Sequence, residues 1–537
     1  MDGKKYKELG KISKGTYGVT YKVEFNNTIF CKKVYIIDDY KYGYTDDFIR
    51  EVLILNTNIT LLNLHDVFVK NVIENDIHIV IDYYDNTLSS FIKNDSFTKK
   101  HLTFIHIKNI IPSLLIQLYN VHKTGFIHSD LKLDNILEKN GEICICDWGL
   151  CEYYGYPKQK KIYQCSRYYK APDRRLSINV DLFSLGACIY YLFTGVSVCS
   201  KENIVKDDIE KKTINLKKIL DNNEFCILQN LITDDMNRPS AKKILIDFYN
   251  YIPSYIDNHF EKIEQLIDQS EINMINKCYY YDLIFSCKLN LKRVKFEKYT
   301  FNDVLNTKLY ELEYLDDTFT YFYNVNVQSN KISKFNQDAL FKFLKYYFLS
   351  YININTIFLS LNIFNCVQDA IDLINYRLSD IVKIIINYSC KILECSSYNI
   401  KLKNMENMDI PKIEIIIFNY FQNKNIEFVP YTFYIYYYIT KIVQKYSDYY
   451  RREMQRLETL CLSLFFIVFI NMININNNNL HLLSINIVIQ SIYFIKNNKL
   501  NVDNDIYQYI IENSKLIPKC YITSVVEDSD LRTYLYH

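Results

Sequence analysis

At 537 residues the chain exceeds what one hydrophobic core supports, since cores stop growing near about 250–300 residues, so two or more domains are expected. Hydrophobic residues make up 49% and charged residues 23% of it, which excludes a fully disordered or collagen-like chain. A formal net charge of +2 excludes the global field that draws nucleic acid, and local lysine clusters read as solvated faces.

The opening MDGKKYKELGK has no cleavable apolar segment, and the 15 cysteines are scattered without CxxC pairs. Reduced, mostly buried thiols are therefore expected, not a secreted disulfide framework. Residues 6–85 hold short β-like runs, GVTYKVEF, TIFCKKVYI and DIHIVIDYY, around one helix predicted over 46–55. From His101 amphipathic segments dominate, with strand-like pieces only near Ile136 and over 143–146. A sheet lobe thus precedes a helical lobe. After Tyr251 the chain is mixed, with EKIEQLIDQ and a basic KLNLKRVKFEK, and reads as a linker with some helix. From Gln337 helical periodicity recurs in FKFLKYYFLSYI, DIVKIIINYSCKIL, IEIIIFNYF and LLSINIVIQSIYFI, so the second domain should be all-α. The most apolar stretch, 460–470, falls short of the ~18–20 residues a bilayer requires and reads as a core helix, so no membrane partner is expected.

Several residues carry chemistry in combination. ISKGTYGVTYKV reads as a hairpin in which Gly15 and Gly18 let backbone amides approach a polyphosphate, although Ser13 stands where such loops usually begin with glycine. Alone, a plain β-turn explains it better. FCKK then offers Lys32 on the next strand, and IRE offers Glu51 on the predicted helix, a carboxylate that can orient a phosphate-binding lysine. IHSDLKLDN follows, with Asp130, Lys132 and Asn135, and twelve residues after Asn135 CDWG supplies Asp147. Each acid alone is more often a surface or turn residue. In this order and spacing they resemble the eukaryotic Ser/Thr protein kinases.

That resemblance implies an α+β bilobal fold over residues 1–250, with an N-lobe to about 84 and a C-lobe over 85–250. It implies ATP and Mg2+ as cofactors and a protein substrate. Asp130 would hold the acceptor hydroxyl, Lys132 would counter charge near the phosphoryl group, and Asn135 and Asp147 would bind the metal ions. The nucleotide would lie against Ile12, Gly15, Thr16, Tyr17, Gly18 and Val19, with Lys32, Ile81 as gatekeeper, and a hinge from Asp82 to Tyr84. RYYKAPD, DLFSLG and DDMNRPSAKKIL resemble the C-lobe framework, implying an Asp173–Arg238 ion pair and an Asp181 brace on the catalytic-loop backbone.

GTYGVTYK, IRE and YYKAPD resemble the cyclin-dependent kinases, while DWGLCEYY with CSRYYKAPD resembles casein kinase II. The three arginines that clamp an activation-segment phosphate in cyclin-dependent kinases correspond here to Ser129, Arg50 and Glu152, and no Ser or Thr lies between Trp148 and Cys165. Acceptor and clamp are lost together, which implies activation without loop phosphorylation, with Glu152 expected to pair with Arg50 in place of the phosphate. Drifted surface residues would be the plainer reading of that pair. Thr16 and Tyr17 match inhibitory phosphorylation sites, and Ser166 matches the hydroxyl that favours Ser/Thr acceptors. Lys158, Lys160, Lys161, Arg167 and Lys170 place positive charge near the peptide groove, which suits acidic substrates as in casein kinase II; the proline-directed preference of cyclin-dependent kinases is the competing expectation, and the sequence does not choose between them.

Residues 251–334 are expected to be the linker and 335–537 the all-α domain. TIFLSLNIFN, SCKILE and PKIEIIIFNYFQNKNIEFVPYTFYIYY resemble a cyclin fold of two helical repeats. By that resemblance Lys391 and Glu414 would grip the helix that carries Glu51, an intramolecular partner at high effective concentration. A pseudokinase scaffold, or a casein-kinase-like enzyme with a C-terminal adaptor, are the rival readings. The 50 Tyr and 32 Phe beside 11 Gly and 8 Pro suggest AT-rich coding, as in a large DNA virus or a parasite. No targeting signal is evident, and the kinase resemblance implies an intracellular place in cytoplasm or nucleus.

Overall fold

The computed structural model describes residues 6–14, 18–35, 43–57, 59–71, 76–93, 104–153, 165–172, 177–194, 197–198, 220–233, 238–251, 354–368, 370–371, 376–393 and 410–424, with Tyr314, Asp317, Phe343, Ile352, Tyr434, Tyr437 and Ser484. The predicted helices EKIEQLIDQ and 460–470, most of FKFLKYYFLSYI, and LLSINIVIQSIYFI apart from Ser484 lie outside the described residues.

Strand β1 (Lys7–Lys14) pairs antiparallel with β2 (Gly18–Phe25), and β2 with β3 (Thr28–Tyr35). The β2–β3 turn is Asn26–Asn27, with φ of 51° and 62°. Two left-handed residues match the right-handed twist of the strands, and Asn tolerates that conformation better than most residues. The turn sets Phe25 opposite Thr28, and hence Tyr21 opposite Lys32 and Thr20 opposite Lys33. After α1 (Asp46–Leu55), strands β4 (Leu64–Asn71) and β5 (Asp76–Asp82) complete a sheet of order β1-β2-β3-β5-β4. Tyr35 meets Phe48 of α1 edge-on at 5.2 Å. Side chains alternate along a strand, so the face of β3 carrying Cys31, Lys33 and Tyr35 is the one turned toward α1.

The helical lobe follows, with short β6 (Asn86–Thr87), α2 (Leu88–Lys93), α3 (Phe104–His122), β7 (Phe126–Ile127), the hairpin β8 (Ile136–Lys139) and β9 (Glu142–Ile145), and β10 (Glu152–Tyr153) paired to β7. In α4 (Ile178–Thr194) every residue from Ile178 to Tyr190 is buried, the mark of a helix surrounded by its own domain. Helix α5 (Asn222–Leu231) packs so closely that a Cβ on Gly186 would stand 2.6 Å from Ile232 Cγ2. Helix α6 (Ala241–Tyr249) starts with Ser240 Oγ accepting from the Lys243 amide at 3.0 Å and ends at left-handed Asn250.

Three C-terminal helices are described, α7 (Ile354–Val367), α8 (Leu378–Leu393) and α9 (Ile410–Lys424). They fall on the predicted runs TIFLSLNIFN, DIVKIIINYSCKIL and IEIIIFNYF and pack on one another, while α8 also packs on α1 and β10. This contact, together with that of residues 148–150, covers α1, where Phe48, Ile49, Arg50, Glu51, Val52, Ile54 and Leu55 are all buried. A helix resting on one sheet buries one stripe; burial of nearly the whole surface needs cover on the second side. Among the described residues no helix is long and apolar enough to cross a membrane. Within the stretch read as a linker, Tyr314 and Asp317 are buried against the helical lobe.

Candidate active site

The segment between β7 and β8 is held from behind. The Asp181 carboxylate, on buried α4, accepts from the His128 amide at 2.7 Å and the Ser129 amide at 2.9 Å, and lies 2.9 Å from His122 Nε2. Burial alone would raise its pKa, but the His122 and His128 contacts win and hold it below the usual carboxylate range. This is the brace expected of Asp181. It holds Ser129, directly before Asp130, at φ 68°, a strained conformation for a residue with a Cβ.

Asp130 collects donors on both oxygens. Oδ1 accepts from the Ser166 amide and hydroxyl, each at 2.9 Å, and Oδ2 from Lys132 Nζ at 2.5 Å. Lys132 also reaches Ser166 Oγ at 3.3 Å, and Asn135 Nδ2 donates to the Asp130 carbonyl at 3.0 Å. Asp130, Lys132, Asn135 and Ser166 therefore come together as expected. With its amide nitrogen used, the carbonyl end of Asn135 is the part available to a cation. The backbone carbonyl of Asn135 accepts from the Cys146 amide at 2.9 Å, which brings Asp147 alongside. Asp147 has left-handed backbone, φ 64° and ψ 67°, and its side chain keeps 35% of its surface exposed. Against burial, Lys33 and then His128 and Lys132 hold its carboxyl below the usual range. Asn135 and Asp147 thus supply hard oxygen donors, one of them firmly anionic, which fits Mg2+.

The lysine expectation is corrected. Lys33 Nζ lies 2.6 Å from Glu51 Oε2 and 2.8 Å from Asp147 Oδ1, whereas Lys32 points to the other face, onto Glu8 and the Tyr21 ring. Adjacent residues in a strand face opposite ways, so only one of two neighbouring lysines can enter the site. The same alternation corrects Val19, which pairs with Val34 on the Lys32 face; Thr20, opposite Lys33, occupies the site face. Desolvation would lower the Lys33 pKa, but the Glu51 and Asp147 carboxylates outweigh it and hold the ammonium charged. Burial, with Asp147 adding and Lys33 opposing, pushes Glu51 up to about 7. Cys31, on the same face, is pushed up to about 12 by burial, with Lys33 opposing.

Ile81 is buried opposite Cys31 in the sheet register, the place expected of a gatekeeper. Asp82 turns its side chain back to accept from the Asn63 amide at 2.9 Å and Nδ2 at 2.8 Å, with His65 Nε2 at 2.6 Å. What the hinge offers a base is then its backbone. The Tyr84 hydroxyl donates to Glu142 at 3.4 Å. Ile12 is 49% exposed, and Gly18 is required by packing, since a Cβ there would stand 1.9 Å from the Val34 carbonyl oxygen. Gly15, Thr16 and Tyr17 lie outside the described residues, as do Asp173, Lys158, Lys160 and Lys161. Arg238 is buried and donates to the carbonyls of Leu231, Thr233 and Asn179.

On the far side of α1, Lys391 Nζ lies 2.6 Å from Glu414 Oε1, and Glu414 Oε2 accepts from the Tyr44 amide at 2.7 Å. Gly43 makes room: its φ is 88°, and a Cβ would stand 2.5 Å from Glu414 Oε2. Arg50 Nε donates to the Lys391 carbonyl at 2.9 Å, and its guanidinium lies 3.9 Å from Asp46. The sequence pairs Arg50 with Glu152 as an expectation; the structure places Arg50 on the end of α8, a contact that nothing in the IRE motif signals. Glu152 sits on β10 opposite Ile127, where α8 packs.

Residues 6–279, just over half of the chain, match the family model described as the protein kinase domain. Cyclin-dependent kinase G1 of Arabidopsis thaliana is 30% identical over 199 residues, covering 34% of this chain and 32% of that protein. Serine/threonine-protein kinase crk1 of Schizosaccharomyces pombe is 28% identical over 198 residues, covering 34% of this chain and 56% of that protein. The chain thus spans between a third and just over half the length of these curated relatives. With that match covering both lobes, and with Lys33, Glu51 and Asp147 joined across them, the chain belongs to the protein kinase family.

Proposed function

We propose that the chain is an ATP-dependent Ser/Thr protein kinase resembling the cyclin-dependent kinases, and that its C-terminal helices form a cyclin-like domain that activates it in cis without activation-loop phosphorylation. The observation that carries the reading is the closed Lys33–Glu51 pair on one side of α1 with the Lys391–Glu414–Tyr44 contact on the other. Placement of that glutamate on its lysine is the step that regulates this enzyme class, and a domain packed on the far side of α1 is placed to hold it.

Bound ATP with Mg2+ supplies the transferable phosphoryl group and the charge that counters its oxygens. The chain does the rest. Lys33 holds the phosphates, oriented by Glu51; Asn135 and Asp147 present the oxygens for the metal ions. Asp130 accepts a hydrogen bond from the acceptor hydroxyl and aligns it, and Lys132 places positive charge beside that oxygen as it attacks. Ser166, bonded to both Asp130 and Lys132, holds the two at a fixed separation and supports a Ser/Thr acceptor.

Arg50 binding the Lys391 carbonyl supports activation without a loop phosphate, since its cationic end is engaged by the docked helix. Arg167 and Lys170, at the end of the activation segment, support an acidic preference as in casein kinase II, with the proline-directed preference of cyclin-dependent kinases as the competing reading. The test is phosphorylation of a mixed peptide library by the full chain and by Asp147→Asn. Ser/Thr labelling by the full chain that falls about a thousandfold in Asp147→Asn is the expected result. Silence of the full chain with ATP and Mg2+ would favour the scaffold reading.

A further inference from the structure

Two buried residues in the chain between the kinase lobes and the C-terminal helices are unexplained by the kinase site. Tyr314 and Asp317 lie beyond residue 279, where the family match ends, yet both are buried on the helical lobe. Asp317 Oδ2 lies 2.7 Å from Lys242 Nζ, and Oδ1 accepts from the Tyr119 hydroxyl at 2.6 Å. The Tyr314 hydroxyl accepts from the Lys242 amide at 3.2 Å, satisfying one of the first N–H groups of α6, which have no partner within their helix. A carboxylate enclosed with a lysine and a phenol is tolerated only where its partners are exactly placed, so this is a specific docking and not loose contact.

The contact continues toward the catalytic loop. The Tyr314 ring leans on Tyr119 at 5.8 Å and stands edge-on to His122 at 6.1 Å and 81°. Tyr119 and His122 are three residues apart on α3 and so share a face. His122 Nε2 lies 2.9 Å from Asp181, whose carboxylate holds the His128 and Ser129 amides directly before Asp130. We propose that Tyr314 and Asp317 are positioning residues of the catalytic lobe: docked on Tyr119 and Lys242, they fix the His122 ring, and through Asp181 the backbone that presents Asp130. The connecting chain is on this account part of the kinase lobe, and a cut after residue 250 removes a piece of the catalytic support along with α7–α9.

The test uses the full chain with Tyr314→Leu, Tyr314→Phe and Asp317→Asn, read well below each variant's Tm. Its kinetic arm rests on the kinase reading; its exchange arm does not. Tyr314→Leu is expected to lower kcat about tenfold and Asp317→Asn about threefold, with KM for ATP within about twofold, while Tyr314→Phe keeps the ring and stays within about twofold of the parent. Amide exchange at His128 and Ser129 should speed up in Tyr314→Leu and Asp317→Asn and not in Tyr314→Phe, with α1 amides unchanged. If Tyr314→Leu does not fold, Asp317→Asn carries both readouts. Unchanged exchange at His128 and Ser129 in the variants that fold, or a Tyr314→Phe as impaired as Tyr314→Leu, overturns the proposal. A chain without kinase activity that still shows the exchange pattern would refute the kinase reading and leave this one standing.

Discussion

Helix α1 is held on both sides by a lysine–glutamate pair of the same length, 2.6 Å for Lys33–Glu51 and 2.6 Å for Lys391–Glu414, yet the two pairs serve opposite ends. Around Lys33 the cluster stays open: Asp147 joins it with a third of its side chain exposed, so a polyphosphate and its cation can enter. Around Glu414 the pair is sealed, with side chains 6% and 0% exposed, and the remaining carboxylate oxygen is taken by the Tyr44 amide. An ion pair with spare capacity and access to solvent can do chemistry. One with every oxygen used inside a dry contact can only set register.

The sharpest way to break this comparison is to move the open pair by one residue. Lys33→Met should cut kcat/KM for ATP about a thousandfold, while Lys32→Met, whose side chain faces away from the site onto Glu8, should stay within about twofold. Steady-state kinetics on both variants decide it, and equal losses would return the site to Lys32. The sealed pair comes next. Glu414→Gln keeps the shape but removes the charge beside Lys391, and losing one member of a buried pair costs about 3–5 kcal/mol. Activity should fall about tenfold to a hundredfold with a lower Tm, and Gly43→Ala should act in the same direction because its Cβ has no room beside Glu414. Unchanged activity and unchanged melting in both would remove α8 and α9 from the regulation of α1.

The smallest effect is on pH. Glu51 is raised from 4.5 to about 7, so between those values the folded chain binds a proton that the unfolded chain does not. Its contribution to stability is therefore present at the acid end and lost as pH rises through about 7. Activity runs the other way, since only the ionised carboxylate orients Lys33. The kcat/KM for ATP should fall about two- to fivefold from pH 8 to pH 6.5, following an apparent pKa near 7. A flat profile over that interval would show Glu51 ionised throughout.

Much of the site was legible because its parts are short motifs on one strand–loop–strand segment. Asp130, Lys132, Asn135 and Asp147 lie within eighteen residues, and the chain direction through β8 and β9 leaves them little freedom. The helix predicted over 46–55 coincides with α1. Two adjacent lysines in FCKK read alike in sequence, and the motif alone does not single out Lys33. The Asn26–Asn27 turn, counted across the hairpin, would have paired Thr20 with Lys33, but not told which face of the pair looks toward α1. The docking of Tyr314 and Asp317 had no local signal at all, since Tyr119 and Asp317 are 198 residues apart.

The sequence by itself determined the kinase motifs, their order, the strand and helix periods, and the run of apolar helices that follows, because these depend on neighbours within a few residues. Tertiary structure alone decided which lysine enters the site, that Arg50 binds the end of α8, that Glu414 closes over Gly43, and that Tyr314 and Asp317 join the helical lobe. Each of those is a choice of face or of distant partner. It is made by whichever surface buries the apolar side and satisfies the polar groups, and no stretch of chain carries that information alone.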